Sequence, residues 1–330
     1  MDKVNQYSLR KRPEIVTVPG RANLIGEHID YHGFPVLPIA LHRAIRVRFE
    51  PREDRRIVAT SPQFGDRSFL WTRDLPPVAP GDWENYLRAA AQAVAGRSGP
   101  GMGVDAVIES DLPPAAGLSS SSALLVAFTL ALHHANHIDA TFEELMEILP
   151  EGEQFVGTRG GAMDHAAILG SREGNASLIS FEPVRIRHIP IPPEWVFLVA
   201  DSGQRAEKSG AVRDRYNAIR ALFHVNRDIS QHVVTEALRV QQAVEALEQN
   251  DPHRFGQLLL EGHASLRDRL QVSTPALDHI VETAMASGAL GARLTGAGFG
   301  GCAIVLCLRR DLEKVQAGLH PAPIIDTVHS

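Results

Sequence analysis

Pro113-Pro114-Ala115-Ala116-Gly117-Leu118-Ser119-Ser120-Ser121-Ser122-Ala123 decides how this chain is read. Two prolines and a glycine end the strand predicted over Val104 to Glu109. Four serines then lead straight into an apolar run, Ala123 to Leu132, long enough for a buried helix. A serine at that start is a natural N-cap. Small residues before a helix let an anion approach exposed backbone N–H groups, and the helix dipole favours negative charge there. The hydroxyls also suit Mg²⁺. The stretch therefore reads as a phosphate-binding turn. The alternative, a flexible serine-rich linker, is disfavoured by the helix that follows at once. Nothing in the sequence matches the G-x-x-x-x-G-K-[ST] phosphate loop.

A later glycine cluster runs Thr295-Gly296-Ala297-Gly298-Phe299-Gly300-Gly301. It opens into the apolar strand predicted at 302–308 and not into a helix, so it is no dinucleotide-binding fingerprint. Such glycines suit a turn where backbone crowds a ligand or another loop. Near the start, Arg21-Ala22-Asn23-Leu24-Ile25-Gly26-Glu27-His28-Ile29-Asp30-Tyr31-His32-Gly33 packs charge between two predicted strands. A solvated loop and a metal cluster of Glu27, His28, Asp30 and His32 are alternatives. Consecutive loop residues rarely converge on one ion. A polyol site fits better, because carboxylates and imidazole can address adjacent ring hydroxyls.

Outward from these loops, strands are predicted at 14–18, 44–50, 56–60, 67–72, 176–181, 185–191 and 195–200. Ile45, Val47 and Phe49 alternate with Arg46 and Arg48, as in a half-buried strand. A helix is predicted from Trp83 to Ala95, and a helical region over 206–269, broken near Asn250-Asp251-Pro252. Strands and helices mix throughout, so the class is α+β, divided near residue 182 into segments 1–182 and 183–330.

The formal net charge of −6, with the signs interspersed, argues against a nucleic-acid surface. The longest apolar stretch falls short of the roughly 20 residues that span a bilayer, so no membrane segment is expected. Cys302 and Cys307 share one apolar run and read as buried strand residues without a disulfide framework. A cytoplasmic protein, monomeric or weakly dimeric, is the expectation.

The three loops, in this order, resemble the motifs of the GHMP kinases, and most closely the galactokinase branch. Pro19 to Tyr31 with Val36-Leu37-Pro38, Gly117 to Ala123, and Thr295 to Cys302 carry the likeness. Gly161-Ala162-Met163-Asp164 and Ser265-Leu266-Arg267-Asp268 with Val272-Ser273 extend it. The resemblance implies a two-domain fold with the active site in the inter-domain cleft. It implies ATP and Mg²⁺ acting on a sugar's anomeric hydroxyl. It matches Asp164 to the catalytic aspartate and Arg21 to its neighbouring arginine. Glu27, His28, Asp30 and Gly161 match the sugar contacts. Gly117, Leu118, Ser119, Ser120, Ser121, Ser122 and Ala123 match the nucleotide loop. Taken alone, Asp164 reads as a turn aspartate after a glycine pair.

Three departures stand out. The family's sugar-contacting tyrosine falls at Ala211, with Tyr216 as a replacement. Its Mg²⁺-binding glutamate falls at Gly152, leaving Glu153 beside Ser122 as the nearest metal ligand, and Pro150 disrupts the helix expected there. Ile29-Asp30-Tyr31, Gly160-Gly161 and Glu153 look more like N-acetylgalactosamine kinases. Galactose, N-acetylgalactosamine and arabinose are thus the acceptor candidates. A non-catalytic sensor of sugar and ATP is the competitor from another class.

Overall fold

The computed structural model describes residues 14–157, 161–205 and 210–330; the side chains of Glu153 and Gln154 also lie outside the description. Of the glycine-rich turn that the sequence suggests from Gly157 to Gly161, residues 158–160 lie outside the described residues.

The long strand β2 (Leu37–Arg52) organises the first half. One edge pairs antiparallel with β1 (Glu14–Ile25). The opposite edge is shared by β5 (Gly103–Ser110) and, through Ile39, β6 (Asn175–Ser180). Strands β3 (Arg56–Ser61) and β4 (Gly65–Leu70) extend the sheet beyond β5, and β7 (Arg185–Pro190) extends it beyond β6. The alternation read at 44–50 holds: Ile45, Val47 and Phe49 are buried while Arg46 and Arg48 face water. Helices α1 (Glu84–Ser98), α2 (Ser120–Ala135), α3 (Phe142–Phe155) and α4 (Met163–Gly170) form the layer associated with this sheet, with α2 against β1 and β2. Helix α3 runs through Pro150, so the expected disruption does not occur. An internal proline removes one backbone bond, and the packing of Leu145, Ile148 and Leu149 into the core outweighs that loss.

The second sheet has the order β11–β8–β10–β9, with β8 (Trp195–Asp201), β9 (Gly291–Leu294), β10 (Cys302–Leu308) and β11 (Ile324–Val328). Both cysteines are buried, free thiols in β10; burial, then Asp311, pushes Cys307 up to about 11. Between β8 and β9 lie α5 (Gly210–Ala221), α6 (Arg227–Glu248), α7 (Pro252–Ser265) and α8 (Pro275–Ala286), and α9 (Leu312–Leu319) precedes β11. A division at 182 would separate β7 from β6, with which it pairs along its length. The change of sheet falls between Pro190 and Trp195, and we place the unit boundary there. Among the described residues, no helix is long and apolar enough to cross a membrane.

Backbone contact without side chains sets how α7 lies on β9. A Cβ at Gly256 would sit 2.2 Å from the Leu290 carbonyl oxygen, and one at Gly291 would sit 2.2 Å from that of Gly256. Close-packed interiors do not absorb such an overlap without backbone movement. Gly256→Ala and Gly291→Ala are each expected to lower stability by about 1–3 kcal/mol, read from urea or thermal melts. Melts that coincide with wild type would show that the contact is loose.

Candidate active site

Strand β1 delivers the first functional side chain. Its register slips between Pro19 and Arg21 and again between Asn23 and Ile25, and such irregularities re-aim side chains. Arg21 is buried at 3% exposure. Its Nε and Nη2 donate to Asp164 Oδ1 at 2.8 and 2.6 Å, and its Nη1 donates to the Gly117 carbonyl at 2.8 Å. Asp164 sits in the first turn of α4, and its other oxygen accepts from the Ser122 hydroxyl at 3.3 Å. A strand, a turn and a helix start thus meet at one guanidinium.

The serine turn lies against the late glycine loop. A Cβ at Gly117 would fall 2.8 Å from the Thr295 carbonyl, one at Gly296 2.6 Å from that of Gly117, and one at Gly301 2.6 Å from that of Ala116. All three glycines have positive φ, so both shape and conformation require glycine there. Thr295 Oγ1 ties this joint to β1, accepting from the Asn23 N–H and donating to the Asn23 carbonyl, both at 2.9 Å. Ser119 occupies the N-cap position of α2 in the left-handed region (φ 57°) and makes no side-chain cap bond. The capping role expected of a serine is not performed. The turn presents backbone instead.

Two cavities open beside this joint. The larger, about 340 Å³, is bordered by Gly117, Ser119, Ser120 and Ser121. Its far wall is apolar and aromatic, with Ile45, Phe64, Trp83, Tyr86 and Ile108. Leu118, Ser122 and Ala123 do not line it. Leu118 and Ala123 are core residues, and the Ala123 N–H is used by the Ser119 carbonyl. The smaller cavity, about 30 Å³, is polar and bordered by Glu27, His28, Asp30, Gly161 and Asp164. Arg21 and Ala297 border both cavities.

Within the polar pocket, burial, and then the neighbouring Asp164, pushes Asp30 up to about 6. Its Oδ2 accepts from the Met163 N–H at 3.4 Å. A Cβ on Gly161 would lie 2.0 Å from that same oxygen, so a side chain at 161 is incompatible with Asp30 as placed. Burial pushes Glu27 up to about 7, opposed by Arg293 and assisted by Glu236. His28 borders the pocket, with Nδ1 2.8 Å from the Tyr31 hydroxyl and Nε2 3.0 Å from the Ala297 carbonyl. A carbonyl only accepts, so a neutral His28 carries its proton on Nε2.

Sequence reading missed the aromatic wall, because Trp83 and Tyr86 signal only a helical face. It also missed Arg293 and Glu236. Tyr216 does line the polar pocket, with its ring centroid 5.5 Å from His28 and 6.0 Å from Tyr31, whereas Ala211 is exposed. At position 152 a Cβ would meet Leu125 at 2.9 Å, so this residue packs on α2. The side chain of Glu153 lies outside the described residues. Among those described, no group of three or more His, Cys, Asp or Glu side chains is placed to hold a metal ion.

The comparisons with known proteins agree with this layout. The model for GHMP kinases N terminal domain matches residues 85–171 and that for GHMP kinases C terminal matches 243–323. The galactokinase galactose-binding signature matches 5–51. The chain is 37% identical to the galactokinase of Roseiflexus sp. (strain RS-1), over 93% of this chain and 87% of that protein. It is 35% identical to the galactokinase of Chloroflexus aurantiacus, over 95% and 89%. The crystal structure of Lactococcus lactis galactokinase complexed with galactose superposes with a TM-score of 0.86 at 26% identity, covering 97% of this chain and 96% of that one. Methanococcus jannaschii mevalonate kinase shares the fold alone, with a TM-score of 0.78 at 20% identity, over 97% and 99%. With loops, cavities and relatives in agreement over nearly its whole length, the chain belongs to the galactokinase family of the GHMP kinases.

Proposed function

We propose that this chain transfers the γ-phosphoryl group of ATP to the anomeric hydroxyl of galactose. One observation carries the reading: Arg21 borders both cavities while bonded to Asp164 and to the serine turn. The triphosphate enters the larger cavity, where the N-terminus of α2 and the backbone of the serine turn favour an anion. The adenine rests on the apolar wall. The sugar enters the polar pocket, where Glu27 and Asp30 accept hydroxyl hydrogens and Gly161 leaves room beside Asp30. His28 orients Tyr31 and the loop at Ala297.

Phosphoryl transfer needs positioning and charge neutralisation more than covalent help. Asp164 takes the proton of the anomeric hydroxyl. That oxygen attacks the γ-phosphorus, the bond to the β–γ bridging oxygen breaks, and ADP leaves. Arg21 keeps Asp164 ionised and offsets negative charge on the transferring group. Ser122, matched to the metal by resemblance, is fully buried, gives its hydroxyl to Asp164 and borders neither cavity, so as placed it does not fit a Mg²⁺ ligand. An ion arriving with the nucleotide would be held mainly by the phosphates and would neutralise their charge.

The polar pocket has two kinds of wall. Arg21, Asp164 and Glu27 are fixed by buried bonds. Tyr216 on α5 borders the same pocket. Its bulk disfavours an N-acetyl substituent and supports galactose over N-acetylgalactosamine.

Three outcomes test this reading. Purified protein given MgATP and a panel of free sugars should release ADP and form galactose 1-phosphate. If no hexose or pentose is phosphorylated at the anomeric carbon, the reading fails. Asp164→Asn should lower kcat by about 10²–10⁴-fold while calorimetry still detects sugar binding. A variant that turns over normally would remove Asp164 from the chemistry. Glu27 and Asp30 accept hydroxyl hydrogens most strongly when ionised, so kcat/KM for sugar should fall as pH drops through the region of about 7 to about 6. A profile flat through that region would contradict their role.

A further inference from the structure

Beneath Glu27 lies a cluster of charges that phosphoryl transfer itself does not employ. Arg293, fully buried on β9, places Nη2 2.8 Å from Glu236 Oε1 and bonds Glu27 Oε2 with the same nitrogen. Glu236 on α6 also accepts from the Gly26 N–H at 2.9 Å and from Arg239 Nε at 2.8 Å. His232, one turn earlier, approaches the Glu27 carbonyl at 3.0 Å and the Ser265 hydroxyl at 2.8 Å. The Gly296 N–H reaches Glu27 Oε1 at 3.3 Å. Helix α7 meets the guanidinium with a glycine: a Cβ at Gly262 would fall 2.3 Å from Arg293 Nη1.

Two buried carboxylates and two buried guanidinium groups are a poor way to gain stability, since apolar side chains of similar volume do as well or better. Among the described residues, Arg293 Nε and Nη1 have no protein hydrogen-bond partner. What the cluster does achieve is direction. A carboxylate at the end of a glutamate rotates in a broad well. Glu27 is held at both oxygens, by Arg293 and by Gly296, and at its carbonyl by His232. We propose that Arg293 and Glu236 are positioning residues of the sugar pocket, which aim the Glu27 carboxylate at the acceptor from the C-terminal unit. This rests on the reading of that pocket as the sugar site.

The electrostatics give the proposal a sign. Around Glu27 stand Glu236, Arg239 and His232 on α6, Arg293 on β9 with His263 of α7 behind it, His28 and Asp30 on its own segment, and Arg21 and Asp164 across the pocket. Burial holds His232 down to about 4, so it is neutral. Burial also works to raise Glu236, but Arg293 and Arg239 hold it well below the usual carboxylate range. Glu236 therefore pushes Glu27 upward while Arg293 pulls it downward.

The test compares Glu236→Gln with Arg293→Met in the full-length protein. Both should raise the sugar KM about tenfold or more while the ATP KM stays within about twofold. The acid limb of kcat/KM for sugar should move to lower pH in Glu236→Gln and to higher pH in Arg293→Met, by about half a unit or more. A purely structural role would lower stability and affect both substrates alike, with neither limb displaced. Limbs that stay in place, or move in the same direction, overturn the proposal, as do parallel changes in both KM values. If Arg293→Met does not fold, Arg293→Lys replaces it, and a retained limb with a raised sugar KM is then expected, because the charge survives and the two-pronged geometry does not. Wild-type protein that phosphorylates no sugar overturns the site reading and this proposal together. Wild-type turnover with undisplaced variant limbs overturns the positioning role alone.

Discussion

The site depends on how one buried guanidinium divides its donors. Arg21 gives two N–H groups to one oxygen of Asp164 and a third to the Gly117 carbonyl. Burying an arginine or a carboxylate alone is costly, and burying them together is tolerable only when hydrogen bonds satisfy both. That requirement couples three distant stretches of sequence. Strand β1 must bend to place Arg21, the turn before α2 must offer a carbonyl, and α4 must begin where Asp164 can reach. Loss of any one would leave a buried charge exposed to an apolar surrounding. The geometry that serves chemistry is therefore also what lets these loops be buried.

Two sheets must close around that guanidinium without a side chain between them at the joint. Gly117 and Gly296 bring the serine turn and the late glycine loop into backbone contact, and Thr295 stitches the second to β1 with two bonds. A second tie lies away from the cavities, where Asp326 of β11 accepts from the His42 backbone at 2.7 Å and pairs with its ring at 2.9 Å. Glu27 and its buried partners form a third. The units are thus joined by directional polar contacts, and those contacts fix angle as well as distance. Apolar packing alone would fix neither so tightly.

Local sequence carried much of this. The alternation from Ile45 to Phe49, the apolar run after Ser122 and the glycines at 296–301 each encode a conformation through their own side chains. Strand β1 was legible only to residue 18, because Pro19, Gly20, Arg21 and Asn23 are unlikely strand formers, and pairing with β2 overrides them. Helix α3 was misread at Pro150 for the same reason: tertiary burial of its apolar face outweighs one lost backbone bond. The phosphate turn and the Arg21–Asp164 pair were reached through motifs. Arg293 and Glu236 were not, since each acts across more than 200 residues of sequence on Glu27 and neither sits in a local pattern that points there. Trp83 and Tyr86 gave a helical period and no hint that Trp83, at the head of α1, and Tyr86 border a cavity.

The polar pocket is asymmetric, and the asymmetry bears on which sugar it accepts. One side is made of groups that cannot move cheaply: Glu27 is clamped by Arg293, and Asp164 by Arg21. Another part is the aromatic side chain of Tyr216 on α5, whose ring lies near those of His28 and Tyr31. Hydroxyl recognition belongs on the rigid side, because a missing partner there leaves a buried carboxylate unpaired and rejects the wrong ring strongly. The ring of Tyr216 adds discrimination by size. Tyr216 borders the pocket while Ala211, earlier on α5, is exposed. The chain's stereochemical preference should therefore be sharper than its tolerance for ring substituents.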